Sequence, residues 1–147
     1  MKKFTLAALL MSAGLIFGLQ ADAAGVGYIN YGKVQENFPF AQQAVKEIDS
    51  KALEMQQFMV DKEKQYKSLD TPLKKQNFEA QTATEFNAKQ EALIKLRASK
   101  EAQILSQVQT AAKAVMVAQK LDAVLSDQVI FVGGVDITDL IIQKLKG

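Results

Sequence analysis

The 147-residue sequence contains no cysteine, no histidine and no tryptophan, and it contains only two prolines. Without Cys or His, the chain cannot form a disulfide, a Cys/His zinc site, a Ser-His-Asp triad or a Cys-His nucleophile pair. Its 18 basic and 16 acidic residues leave a net charge of +2, so we expect no nucleic acid partner. These absences argue against most enzyme classes.

Other catalytic patterns are missing as well. Gly25 and Gly27 do not begin a nucleotide-binding loop, because the third glycine of that pattern is replaced by Asn30. Asp136 and Asp139 lack the oxygen-rich spacing of a calcium loop and fit better as helix-capping residues. We therefore expect a protein that is not an enzyme, has no catalytic residues and needs no metal or other cofactor.

The first 23 residues have the pattern of a secretory signal peptide. Lys2 and Lys3 precede an apolar run over residues 4–19, and Ala21 and Ala23 provide the small residues of a cleavage site. A membrane anchor is the alternative, but spanning a bilayer takes roughly 20 apolar residues. Cleavage after Ala23 removes Lys2, Lys3 and Asp22, leaving 16 positive and 15 negative charges. The sequence thus predicts an exported mature chain over residues 24–147, with a net charge of +1.

Short apolar segments near both ends of the mature chain predict a small body with three strands and a helix. Residues 26–31 lie between glycines and fit a buried strand, and residues 123–126 and 129–132 fit a strand pair joined as a hairpin. Asp136 then caps a final helix, with Asp139 at its third position. We therefore assign residues 24–39 and 121–147 to this body.

Residues 40–120 have a different composition that predicts two long helices. Glycine is absent, Pro72 is the single proline, and Ala, Gln, Lys and Glu dominate. Asp70, Thr71 and Pro72 interrupt the pattern and fit a new helix start, which predicts an antiparallel hairpin with its tip near residues 70–73. In the first helix, heptad steps connect Phe38, Ala41, Val45, Ile48, Ala52, Met55, Met59, Lys62, Tyr66 and Leu69.

The heptad pattern continues in the second helix, from Phe78 to Ala118. Lys62, Lys89 and Lys100 interrupt the two apolar seams. Their aliphatic stems could cover apolar surface while the ammonium groups reach water, or they could weaken the hairpin and let it flex.

The predicted fold class is α+β and mostly α: a long antiparallel coiled-coil hairpin on a small three-stranded β body. A single hairpin is only two helices thick, and a body of three short strands buries little apolar surface. Because disulfides are excluded, we expect the body to gain stability by forming an oligomer.

This order of elements, together with the signal peptide, resembles the Skp/OmpH family of periplasmic chaperones. The stretches that carry the resemblance are residues 26–30, 32–37, 109–117 and 136–142, and it covers nearly all of residues 24–147. It implies a periplasmic homotrimer in which three hairpins, or tentacles, surround a cavity. Such a protein holds unfolded outer-membrane β-barrel proteins without ATP and prevents their aggregation.

Two sets of candidate site residues follow. The resemblance places in the trimer body Val26, Tyr28, Ile29, Val124, Leu125, Val129, Ile130, Phe131 and Val132. Apolar hairpin residues are suited to adaptable client contacts, and the candidates are Met55, Phe58, Met59, Tyr66, Phe78 and Phe86. The alternative for the seam positions Met55, Met59 and Phe86 is packing between the helices, whereas Phe58 lies off the predicted seam.

Charge separates this chain from the better-known members of the family, which are strongly basic. Near the predicted tip, the basic residues are Lys67, Lys74 and Lys75. The low mature charge puts contact with anionic lipid or lipopolysaccharide in doubt. It also leaves open an alternative function, a structural or adaptor coiled coil of the cell envelope.

Overall fold

A computed structural model describes residues 25–147 of the chain, so the predicted signal peptide and its cleavage site lie outside the described residues. The chain order is a strand, three helices, a strand, a 3₁₀ turn, a short strand and a final helix. The elements are β1 (Gly25–Ile29), α1 (Tyr31–Asn37), α2 (Pro39–Lys67), α3 (Pro72–Ala118), β2 (Leu121–Ser126), the turn Asp127–Val129, β3 (Val135–Asp136) and α4 (Thr138–Lys146). The fold is therefore the predicted α+β fold, dominated by two long helices.

The two long helices begin where the sequence predicts. The Thr71 side chain accepts a hydrogen bond from the Lys74 N–H and caps α3, with Pro72 in its first turn. Helix α2 has 29 residues and is about 44 Å long, whereas α3 has 47 residues and is about 70 Å long. Because α3 is the longer helix, its C-terminal part extends past α2 into the body.

The fully buried apolar side chains are confined to the body and the adjacent base of the hairpin. Between Ala44 and Ile104, no residue is fully buried. The core consists of Val34, Phe38, Ala41, Ala44, Ile104, Val108, Ala111, Val115, Ile137, Ile141 and Ile142. The outer part of the hairpin is therefore two helices with water on both sides.

The sheet is parallel and has the order β2-β1-β3, which corrects the predicted hairpin of residues 123–126 and 129–132. Strand β1 occupies the centre and pairs with β2 on one edge and β3 on the other. The chain between β2 and β3 therefore crosses from one side of β1 to the other, and it forms no strand beside β2. Val129 ends the 3₁₀ turn, and Ile130, Phe131 and Val132 form a loop instead of a strand.

The sequence prediction missed helix α1 and assigned Tyr31 to the strand. Tyr31 instead begins α1, because the Asn30 side chain accepts a hydrogen bond from the Lys33 N–H at 2.8 Å and caps this helix. The Asn30 N–H in turn donates to Thr138 Oγ1 at 3.0 Å. This bond joins the start of α1 to the start of α4.

The final helix starts one residue later than predicted. Asp136 Oδ1 accepts hydrogen bonds from the N–H of Thr138, at 2.9 Å, and from its hydroxyl. These bonds lower the pKa of Asp136. Asp139 is the second helical residue rather than the third and pairs with Lys33 at 2.8 Å. Within residues 25–147, no helix has the length and apolar character that crossing a membrane requires.

Candidate functional site

Two ion pairs connect the helices of the hairpin. Lys62 Nζ lies 2.7 Å from Glu85, and Lys100 Nζ lies 2.7 Å from Glu47. As the chain advances fifteen residues along α2, from Glu47 to Lys62, its partner recedes fifteen along α3, from Lys100 to Glu85. The helices are therefore antiparallel and in one constant register.

The lysines of these pairs are largely covered, with 17% of the Lys62 side chain and 18% of the Lys100 side chain exposed. Both interrupt the predicted apolar seam, and each ammonium binds a carboxylate of the opposite helix. The hydrogen bond from Lys62, followed by its charge, lowers the pKa of Glu85. The two ion pairs therefore add polar contacts between the helices, in a part of the hairpin where no side chain is fully buried.

Aromatic rings surround the Lys62 ammonium. It lies 5.1 Å from the centre of the Phe58 ring and 5.2 Å from that of Phe78. Lys89, on the opposite helix, lies 5.1 Å from the same Phe58 ring. Such distances allow cation–π attraction. Phe58 therefore faces the lysines between the helices, although the heptad pattern predicted that it lies off the seam.

The predicted seam of the first helix is wrong at two of its ten positions, and the other eight are buried or half-buried. Val45 and Met59 were predicted to be seam residues, yet both are exposed, Met59 by 43%. Ala44 and Phe58 face inward in their place. Both changes are local, because the seam returns to the predicted positions at Ile48 and again at Lys62.

An open groove of about 510 Å³ lies between the helices near the tip. Four of the six predicted client-binding residues line it, namely Met59, Tyr66, Phe78 and Phe86. Polar residues also border it: Lys62, Glu63, Glu79, Thr82 and Asn87. This region, called the tip groove below, combines flexible and aromatic apolar side chains with a charged border.

Tyr66 is fixed within the tip groove by several contacts. A hydrogen bond with Glu79 raises the pKa of the Tyr66 hydroxyl, with partial burial and the charge of Glu79 adding to it. The centre of the Tyr66 ring lies 6.4 Å from the centre of the Phe78 ring. Lys75 Nζ lies 5.3 Å from the centre of the Tyr66 ring. Tyr66 therefore has several side-chain contacts at the edge of the groove, whereas Met59 is 43% exposed.

The remaining predicted site residues are distributed over two other regions. Met55 lines a second groove of about 320 Å³ farther from the tip, with Leu93 and Leu96. Val26, Tyr28 and Ile29 lie on β1, and Val124 and Leu125 lie on β2. Among the described residues, no His, Cys, Asp or Glu cluster could hold a metal ion.

Comparison with known proteins gives matches over most of the chain. The family model of the OmpH-like outer membrane proteins matches residues 25–145. No curated protein matches the chain. The crystal structure of an OmpH-like protein of Caulobacter crescentus, a candidate outer membrane chaperone, is 16% identical, with a TM-score of 0.36 and 83% of each chain covered. The family match confirms the resemblance inferred from the order of elements, and the chain belongs to the OmpH-like family.

Proposed function

We propose that the mature chain, residues 24–147, is an ATP-independent periplasmic holdase that keeps unfolded outer-membrane β-barrel proteins from aggregating. Membership in the OmpH-like family supports this function. The proposal includes cleavage of the signal peptide after Ala23 and assembly into a homotrimer through the body. The tip groove is the observation that carries it for this chain.

An unfolded barrel protein exposes alternating apolar residues and unpaired backbone groups, and both favour aggregation. The tip groove offers the thioether of Met59 and the rings of Tyr66, Phe78 and Phe86 without a closed, shape-specific pocket. Such side chains bind many apolar partners weakly, because they adapt in shape and impose few hydrogen-bond requirements. Three hairpins with such grooves would retain a client by many weak contacts and release it when it folds.

Two neighbouring residues provide a matched test of the groove. Met59 and Val60 have similar exposure, 43% and 46%, and of the two Met59 lines the tip groove. A urea-unfolded outer-membrane barrel protein is diluted into buffer with each variant, and aggregation is followed by light scattering. Met59→Ser is expected to raise several-fold the protein concentration needed to suppress aggregation, whereas Val60→Ser leaves it unchanged.

Equal loss in both variants, or in neither, would contradict the role of the tip groove. If the wild-type mature chain itself fails to suppress aggregation, the holdase function is wrong. The alternative, a structural or adaptor coiled coil of the envelope, predicts an assembly that ignores the unfolded client.

A further inference from the structure

We infer that the Thr82 hydroxyl is a polar anchor of the tip groove and accepts a hydrogen bond from a backbone N–H of a bound client segment. The segment is an extended peptide with apolar side chains on one face, which is the pattern of the strands of a barrel protein. The inference rests on the client holding of the proposed function and specifies what the tip groove recognises.

The Thr82 hydroxyl lacks a hydrogen-bond partner. Thr82 Oγ1 is buried and unpaired, and no other buried side-chain oxygen or nitrogen is unpaired in the part of the chain that the structure describes. Buried polar atoms are nearly always paired, so an unpaired one needs a physical reason. Thr84 and Thr110, the other threonines of α3, each donate to the carbonyl oxygen four residues earlier, at 3.0 and 2.9 Å. Thr82 makes no such bond, so its hydroxyl is available to a ligand.

Thr82 lies midway between two aromatic residues of the tip groove along α3. Phe78 precedes it by four residues and Phe86 follows it by four, so the three side chains share one side of the helix. Four residues advance a helix by about 6 Å. In an extended peptide, neighbouring side chains on one face are roughly 6.6 Å apart. An extended client that follows α3 can therefore place apolar side chains beside both rings while its backbone passes Thr82.

A backbone N–H of the client gains the most from this hydroxyl. A peptide that enters an apolar groove loses water from its backbone groups, and an N–H left unpaired there costs free energy. The oxygen of a threonine hydroxyl has two lone pairs that accept hydrogen bonds. Because every residue except proline carries a backbone N–H, the contact does not depend on the side chains of the client. It therefore suits a groove that holds clients of different sequence.

The client reaches the buried Thr82 hydroxyl only when a side chain that borders the groove moves. Met59 borders the same groove and is 43% exposed, and unbranched side chains of this type rearrange easily. Until a client binds, the hydroxyl stays buried and unpaired, which destabilises the free hairpin. Thr82 should therefore lower the stability of the free chain and improve client holding. A residue with a purely structural role does not combine these two effects.

The first test removes the hydroxyl and keeps the shape of the side chain. Thr82→Val is expected to unfold on heating at a temperature no lower than that of the wild type, because an unpaired buried hydroxyl is gone. It is also expected to need a several-fold higher concentration to suppress aggregation of the urea-unfolded barrel protein. Thr84→Val is the matched control, because Thr84 does not line the tip groove, and it should leave holding unchanged. Thr82→Ser keeps a hydroxyl and should recover most of the holding.

The second test examines the backbone contact with two synthetic peptides. Both alternate phenylalanine with serine and carry a fluorescent label, and one has methylated backbone nitrogens that cannot donate hydrogen bonds. Fluorescence anisotropy measures the binding of each peptide to the wild type and to Thr82→Val. Methylation is expected to weaken binding to the wild type several-fold and binding to Thr82→Val much less. An equal loss in the two proteins, or no binding of either peptide to the wild type, would overturn the inference.

The outcomes separate this inference from the proposed function. If Thr82→Val holds the client as well as the wild type does, the hydroxyl contact is wrong and the holdase function stands. If Thr82→Val unfolds at a lower temperature than the wild type, the hydroxyl has a partner in the free chain, and the inference is again wrong. A wild-type chain that does not suppress aggregation overturns both the hydroxyl contact and the holdase function.

Discussion

Lys62 of the first long helix and Glu85 of the second form an ion pair of 2.7 Å, at a position where a coiled coil normally has apolar side chains. The Lys62 ammonium also lies near the rings of Phe58 and Phe78. Because no residue of this part of the hairpin is fully buried, polar contacts carry a large share of the specificity of helix pairing. A polar pair at a seam position is best known for fixing register.

Reversing one charge of this pair should therefore weaken the outer hairpin. Lys62→Glu places two carboxylates opposite each other and is expected to lower the unfolding temperature by a few degrees. The double variant Lys62→Glu/Glu85→Lys restores the attraction and should recover most of the loss. Circular dichroism during heating measures all three proteins. A double variant no more stable than Lys62→Glu would contradict a direct ion pair.

Low pH should weaken the pairing of α2 with α3 near Lys62 and Glu85. Because the pKa of Glu85 is lowered from its ordinary value of 4.5, the pair stabilises the folded chain fully above that value. This contribution is lost as the pH falls through the lower, folded-state pKa. Hydrogen exchange of hairpin amides from neutral pH to about pH 3 measures the effect. In Glu85→Gln, hydrogen exchange of these amides should increase less at low pH than it does in the wild-type protein. An identical increase in the two proteins would contradict the prediction.

The buried hydroxyl of Thr138 is expected to stabilise the body. It accepts a hydrogen bond from the Asn30 N–H and donates one to Asp136. Thr138→Val keeps the shape but leaves the Asn30 N–H without this acceptor, at a cost of about 1–3 kcal/mol. Thr138→Ser retains the hydroxyl and is expected to cost less. Urea unfolding of both variants measures the difference, and equal stabilities would show that the hydroxyl contributes little.

Two glycines should respond in opposite ways to substitution by alanine. A Cβ on Gly27 would lie 2.7 Å from Leu121 Cδ1 and 3.3 Å from Cδ1 of buried Ile137, so Gly27→Ala should cost about 1–2 kcal/mol. Gly32 lies in α1, and a Cβ there would lie 3.5 Å from Asn30 Oδ1, which is an ordinary van der Waals distance. Gly32→Ala should therefore be neutral or stabilising. Urea unfolding compares them, and a harmless Gly27→Ala would contradict the close packing of β1 against Leu121 and Ile137.

Local signals in the sequence were sufficient for the long helices. The loss of glycine after residue 40 and the Thr71-Pro72 helix start predict α2 and α3, and the structure has both. The heptad pattern selected Met59 because it alternates steps of three and four residues, whereas in the structure the residue three positions after Met55, Phe58, faces the partner helix. Phe58 contacts Lys89 of the opposite helix, and the sequence of the first helix alone does not contain that contact.

The sheet could not be derived from local patterns. Residues 129–132 have the composition of a strand, but the partners of β1 are β2 and the short segment Val135–Asp136. Pairing between segments almost a hundred residues apart, such as Tyr28 with Leu125, leaves no mark in a window of ten residues. The tip groove was predicted only as a set of residue types, since its geometry needs both helices.

The most direct test of the central claim is the mass of mature residues 24–147, alone and after mixing with a urea-unfolded outer-membrane barrel protein. Light scattering after size exclusion gives both values. The account predicts a trimer that takes up one client and does not grow into larger aggregates. A chain that ignores the client, or that aggregates with it, would contradict the holdase function.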